Sequence, residues 1–185
     1  MSIAEEDQIL IEEFKDGNES SFNRLILKYQ QKIYWHARRM TGNHFDADEV
    51  VQEVLMVLYK NLKKFEMRSS LYTWIYKITS TRSLNFINRR KIKESFLTDD
   101  DNSMYVTNEN SITNKIEAKE KLEKLDNVLQ QLPAKQREIF ILRNFEEMSY
   151  EEISEITGTS TGGLKANYFH AYKKVLELMD EDNDG

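Results

Sequence analysis

The sequence predicts an all-α protein: two small helical domains joined by an acidic linker, the second ending in a helix-turn-helix. Three observations carry this. Apolar residues recur at i, i+3, i+4 spacing over long segments, and strand-like alternation is nowhere sustained. A single proline and 31% charged residues in 185 suit helices that pack through one apolar stripe each. The periodicity stops from Glu94 to Ile112, where ESFLTDDDNSMYVTNENSI holds five acids and no basic residue, a linker composition. The domains are placed at 1–93 and 113–185, with the linker at 94–112.

The opening MSIAEEDQILIEEF is acidic and amphipathic rather than basic and then apolar, so it does not read as a signal peptide. Ser20 or Ser21 can cap the next helix, which carries Phe22, Leu25, Ile26, Tyr29, Ile33, Ala37 and Met40 on one face and ends at Gly42. Asp46 is the expected N-cap of the following helix, with Glu49 completing a capping box and Val50, Val51, Val54, Leu55, Leu58 and Leu62 as its stripe. Ser69 or Ser70 opens a third long helix with Leu71, Trp74, Ile75, Ile78, Leu84 and Ile87 directed to a core.

In the second domain Ile116, Leu122, Leu125, Val128, Leu129 and Leu132 mark one helix. Pro133 suits the first turn of another over 134–144, with Ile139, Phe140 and Leu142 inward. Ser149 and Glu152 form a capping box for a short helix, and Gly158 is its left-handed C-cap. Thr159 to Thr161 turn the chain into a helix starting near Ser160 with Leu164, Tyr168, Ala171 and Val175 at core spacing. Short helix, glycine turn, longer helix is the helix-turn-helix pattern, although any αα-hairpin needs similar turn chemistry. The second helix presents Lys165, Asn167, Phe169, His170 and Lys173 outward, able to reach phosphates or base edges.

Charge is concentrated. Residues 60–93 hold ten Lys or Arg and one acid, inside a chain of net charge −6. Phe65, Tyr72, Trp74, Tyr76 and Phe86 sit in the same stretch. Positive charge attracts phosphates without reading sequence, and aromatic faces can receive unstacked bases. The acidic balance elsewhere opposes tight binding to naked duplex by the free protein. Trp74, Ile75 and Ile78 read as core; Tyr72 and Tyr76 are undecided between core and DNA.

Zero cysteines exclude disulfides, thiolate metal sites and cysteine nucleophiles. His36, His44 and His170 share no metal-ligand spacing, and no nucleotide loop or nucleophile–base pair is present. No enzyme activity, cofactor, metal or small-molecule substrate is expected. No apolar run approaches the ~18 residues of a membrane span, so a cytoplasmic protein without membrane insertion is expected.

The strings FNRLILKYQQKIY, DADEVVQEVLMVLYKNLKKF, SSLYTWIYKI, LPAKQREIFILRNFEEMSYEEISEITG and GGLKANYFHAYKKV, in this order and separation, resemble the extracytoplasmic-function (ECF) sigma factors of bacterial RNA polymerase. The resemblance runs from about Asp7 to Leu178. It implies a second sigma domain, a short linker and a fourth sigma domain, with core RNA polymerase, promoter DNA and an anti-sigma factor as partners. It places Asp48, Glu49, Val51, Gln52 and Glu53 where the family docks on the polymerase clamp helices. Phe65 to Leu71, including Arg68, Ser69 and Ser70, would form the loop that captures a base flipped from the −10 element. Thr81, Arg82, Asn85, Arg89 and Arg90 would meet the upstream edge of that element. In the fourth domain Arg143 would hold a phosphate, and Ser160, Thr161, Lys165, Asn167, Phe169 and His170 would approach or read the −35 element.

Three departures stand out. Thr81 replaces a common Asn, Asn167 and His170 stand where Arg is usual, and Gly162 and Gly163 each lower helix propensity by ~1 kcal/mol relative to Ala. Losing two guanidinium groups weakens phosphate attraction. Asp99, Asp100 and Asp101 could act as a nucleic-acid mimic in the polymerase RNA channel, or simply be solvated chain. A stand-alone operator-binding regulator and a sigma-like decoy that sequesters an anti-sigma factor are the alternatives to a promoter-specificity subunit.

Overall fold

The computed structural model describes residues 3–97 and 116–181, and within them every regular element is helical. Helices α1 (Ile3–Lys15), α2 (Glu19–Thr41), α3 (His44–Asn61) and α4 (Leu71–Leu97) form the first unit, with a 3₁₀ turn at Leu62–Lys64. Helices α5 (Ile116–Gln130), α6 (Ala134–Asn144), α7 (Tyr150–Thr157) and α8 (Thr161–Glu181) form the second.

The opening segment is more than an acidic preface: α1 buries Leu10, Ile11 and Phe14 against the core. Two N-caps differ from the expectation. Asn18, not Ser20 or Ser21, caps α2 by accepting from the Ser20 N–H, and Ser21 is buried. Asn43, not Asp46, caps α3 by accepting from the Asp46 N–H at 2.9 Å. An Asn two or three residues before each candidate supplies the side-chain acceptor instead, and Asp46 then sits in the first turn, where the helix dipole favours a carboxylate. Gly42 ends α2 as expected and is left-handed at φ 93°, Gly158 is the expected left-handed C-cap at φ 70°, and the Ser149–Glu152 capping box is complete. Pro133 is the N-cap of α6 and Ser70 the residue that opens α4, its Oγ accepting from the Thr73 N–H at 3.0 Å.

The first core gathers Leu10, Ile11, Phe14, Leu25, Ile33, Val50, Val54, Leu58 and Ile75. The other two cores belong to both units. Met40 and Ile87 bury against Val128, Leu129, Phe140, Ile141, Ala171 and Val175. Tyr76 buries against Ile139, Leu142, Met148, Ile153, Ile156 and Leu164. Met40, Ile87 and Tyr76 thus bring apolar surface of the first unit out of water against the second, at ~25 cal/mol per Å² of area buried between them. Helix α4 is therefore shared: one side packs on α2 and α3, the other on α6 and α7. It also runs four residues into the expected linker, to Leu97; the rest of 94–112, with Asp99, Asp100 and Asp101, lies outside the described residues.

Candidate nucleic-acid and polymerase interfaces

The loop between α3 and α4 borders a cavity of about 420 Å³, lined by Val57, Asn61, Lys64, Phe65, Glu66, Arg68, Ser69, Trp74 and Ile78. Its apolar wall is a ring pair. Phe65 and Trp74 stand 4.7 Å apart at 32°, Phe65 buried and Trp74 half-buried. Lys15 Nζ donates to the Phe65 carbonyl at 3.0 Å and ties the loop to α1. Met67 adopts φ 55°, a left-handed conformation that a non-glycine residue rarely takes. Arg68 is exposed and pairs with Glu66 at 2.7 Å. Ser69 lines the cavity, Ser70 caps α4, and Leu71 is core, only 4% exposed. Of the expected loop residues, Leu71 therefore serves the fold, whereas Trp74, read from sequence as core, packs against the first core and contributes a wall as well. Its spacing matched the core stripe, and nothing in that periodicity marks a ring at the stripe's edge.

On α3, Asp48, Glu49 and Gln52 are exposed and Val51 and Glu53 half-buried. The acids are not free of the next helix. Arg89 Nη2 donates to Glu53 at 2.6 Å and lies 3.8 Å from Glu49; Arg82 lies 3.9 Å from Glu53; Arg90 pairs with Asp46 at 2.5 Å. Residues expected to serve polymerase and residues expected to serve DNA thus form one ion-pair ladder between α3 and α4. Asn85 is exposed beside it, and Thr81 back-bonds to the Lys77 carbonyl at 2.7 Å.

In the second unit Arg143 donates to the Met148 carbonyl at 2.6 Å and lies 5.0 Å from the Tyr150 ring centre, so its guanidinium is already engaged in holding the turn before α7. Ser160 opens α8, its carbonyl accepting from Leu164 N–H at 2.8 Å and its Oγ from Gly163 N–H at 3.3 Å. Thr161, Lys165, Phe169 and His170 are exposed, with Phe169 at 64%. Asn167 is different. It is half-buried, donates to the Gly163 carbonyl at 2.8 Å, and lines a cavity of about 110 Å³ together with Thr81 of α4.

Buried polar groups gather where the units meet. Arg137 and Glu138, on the margins of the apolar stripe of α6, are buried. Gln130 Nε2 donates to the Arg39 carbonyl at 2.8 Å and Arg137 Nη1 to the Met40 carbonyl at 2.5 Å. Burial pushes the Glu138 carboxyl up to about 7 against the opposing pull of a Ser80 hydrogen bond and Lys135. His36 is fully buried, shares a hydrogen bond of 3.0 Å with Ser80, and is pushed down to about 3 by burial and by Arg39. Among the described residues no group of His, Asp or Glu is arranged to hold a metal ion.

Comparison with known proteins gives two family matches: the Sigma-70 region 2 model at residues 25–92 and the Sigma-70 region 4 model at residues 122–175. The RNA polymerase sigma-H factor of Pseudomonas aeruginosa is 29% identical, over 97% of this chain and 96% of its own. The ECF RNA polymerase sigma-E factor of Haemophilus influenzae is 27% identical (91% and 93%), and the ECF factor SigW of Bacillus subtilis 28% (93% and 95%). Two solved structures share the fold. CnrH in complex with the cytosolic domain of CnrY aligns with TM-score 0.71 at 21% identity, over 96% of this chain and 99% of that one. The sigma factor RpoE of Bartonella quintana, in complex with the anti-sigma factor NepR, also aligns at 0.71, with 24% identity over 86% and 96%.

Proposed function

The chain belongs to the extracytoplasmic-function sigma factors of the sigma-70 family, and from that premise we propose that it directs bacterial core RNA polymerase to promoters through three separate surfaces. The exposed face of α3, with Asp48, Glu49, Val51, Gln52 and Glu53, docks on the polymerase. The cavity beside residues 65–71 receives one base of the −10 element, while Arg82, Asn85, Arg89 and Arg90 hold the backbone upstream of it. Helix α8 enters the major groove at the −35 element with Lys165, Asn167, Phe169 and His170.

The observation that carries this reading is the 420 Å³ cavity with an aromatic wall and a basic rim, Lys64 and Arg68, inside the most basic stretch of an acidic chain. Unstacking a base costs a few kcal/mol, and stacking on an aromatic wall returns ~1–3 kcal/mol. Capture therefore comes near to balancing strand opening, and contacts made by polymerase supply the rest. No bond is made or broken by the chain itself, so it acts as an initiation factor rather than an enzyme.

Partners follow from the same reading: core polymerase, promoter DNA and, as for the solved RpoE relative, an anti-sigma factor. Work on core polymerase places the protein in the cytoplasm; among the described residues no helix is long and apolar enough to cross a membrane. The test is run-off transcription with core polymerase on pooled genomic fragments, with and without the protein. Discrete new transcripts sharing spaced upstream elements are expected. Binding to core without any transcript would favour a decoy, and failure to bind core would defeat the proposal.

A further inference from the structure

The loop from Phe65 to Ser70 is fastened at both ends. At the far end the Ser70 carbonyl accepts from the Trp74 N–H at 3.1 Å and its Oγ from the Thr73 N–H at 3.0 Å, so Ser70 is fixed by the helix it opens. At the near end the Phe65 N–H donates to the Leu62 carbonyl at 3.1 Å and closes the 3₁₀ turn. Those bonds are local. A further one comes from 50 residues away: Lys15 Nζ donates to the Phe65 carbonyl at 3.0 Å.

Lys15 is the last residue of α1, at the helix end that favours a cation. That end is itself set against the stem of the loop. Phe14 is buried, its ring 5.3 Å from Phe22 and 5.6 Å from Tyr59 of α3, and Lys63 Nζ stands 5.3 Å from its centre. Helix α1 precedes the matched region 2 segment, which begins at residue 25, and none of the three surfaces assigned above includes it.

What the bond controls follows from its place on the main chain. The Phe65 ring branches at Cα, ahead of the carbonyl; it is 6% exposed and stacked near Trp74. The carbonyl is aimed by the ψ of Phe65, 119°, and the same torsion aims Glu66, Met67, Arg68 and Ser69 after it. Met67, at φ 55°, holds a conformation that persists only where the surroundings impose it. The aromatic wall of the cavity is thus held by the core, and the start of its rim by Lys15.

We propose that Lys15 is a positioning residue for base capture: by holding the Phe65 carbonyl it sets Arg68 and Ser69 relative to the Phe65–Trp74 wall, and so governs how firmly the cavity grips a flipped base. The proposal rests on the base-capture reading above. An ammonium suits the task, since a charge-assisted bond is roughly twice as strong as a neutral one and the long stem reaches the loop from the end of α1.

The experiment uses the full chain in holoenzyme, on a promoter recovered from the run-off screen. Each −10 base is replaced in turn by an abasic site, and the position to which the native holoenzyme is most sensitive marks the captured base. Lys15→Met keeps the stem and removes the donor. It should slow opening of the intact promoter, followed by permanganate, about tenfold, the loss of one hydrogen bond to a charged group. On the template abasic at the captured position it should stay within about twofold of native, because two changes acting through one contact do not add. Lys15→Arg, which restores a donor, should recover most of the rate. In a Trp35→Phe background Trp74 is the sole tryptophan, and its emission should be the same with Lys15 and with Met there. Equal slowing on intact and abasic templates would reduce Lys15 to a support of the fold, and opening at the native rate would overturn the proposal outright. A shifted Trp74 emission would refute the division between wall and rim. A native holoenzyme indifferent to abasic sites at every −10 position would instead defeat base capture itself, whatever the Lys15 variants do.

Discussion

Closure of the two units should weaken as pH rises from about 5 to 7, and Glu138 should be the cause. The carboxyl moves from an ordinary 4.5 to about 7 when it is buried against α4. That difference corresponds to about 3 kcal/mol, at ~1.4 kcal/mol per tenfold. The raised value means that the closed form holds the proton to higher pH than the open form. Closure is therefore at full strength below about 4.5, declines through the interval, and is flat above about 7. Between pH 5 and pH 7 the closed-to-open ratio should fall about 40-fold, ~2 kcal/mol. In the closed form His36, held down to about 3, is neutral and Arg137 is charged, so neither changes its charge there between pH 5 and 7. The assay is energy transfer between dyes on Leu27→Cys and Leu176→Cys, both exposed positions, titrated in the native and Glu138→Gln backgrounds. Glu138→Gln keeps the shape without the ionisation and should lose most of the slope, leaving the residue owed to Asp126 of α5, which burial also pushes up against the pull of Arg38 and Arg39. A flat native titration, or an undiminished slope in Glu138→Gln, would refute the assignment.

Glu49→Lys should abolish core binding in a pull-down while leaving the melting temperature nearly unchanged, since its ion pair is long and exposed. Glu53→Lys should do both kinds of damage: it strands Arg89 and Arg82 beside a like charge, and thermal melting should register the loss as well as the pull-down. Phe65→Ala should cost ~3–5 kcal/mol of stability because the ring is core as well as cavity wall; Arg68→Ala, at an exposed side chain, should instead spare stability and lower permanganate reactivity of thymines near −10. Lys165→Ala should reduce the slope of log affinity against log salt by about one phosphate contact, measured on holoenzyme and duplex promoter. Gly158→Ala meets no atom within 4 Å but must hold φ 70°, so it should destabilise the second unit by ~1–2 kcal/mol, visible in chemical denaturation.

Local chemistry in the sequence proved easy to read, and tertiary partnership did not. The Ser149–Glu152 box, the Gly42 and Gly158 caps and the stripes of α2 to α8 follow from spacing and backbone rules that act within one turn. The caps at Asn18 and Asn43 were obscured because several acceptors stood within three residues, and only the entry angle of the chain chooses among them. Met40 and Ile87 lie on apolar faces as expected, yet periodicity says that a side is buried without saying against what. The same holds for the site. The basic, aromatic character of 60–93 was visible, but the ion-pair ladder binding Glu49 and Glu53 to Arg89 was not, because it depends on α3 and α4 lying side by side. Arg137 and Glu138 carry no signal at all in one dimension: each is a charged residue beside an apolar run, the ordinary look of a helix surface.

Because Gln130 and Arg137 grip oxygens that every amino acid possesses, the identity of residues 39 and 40 is irrelevant to those two bonds. The side chains there are held for other reasons: Met40 by the core that both units share and Arg39 by the ring of Phe145. The exception is position 42, where a β-carbon would fall 2.8 Å from the Gln130 side chain. Any second unit bearing the same Gln and Arg seven residues apart would meet the same two oxygens, provided the glycine stayed.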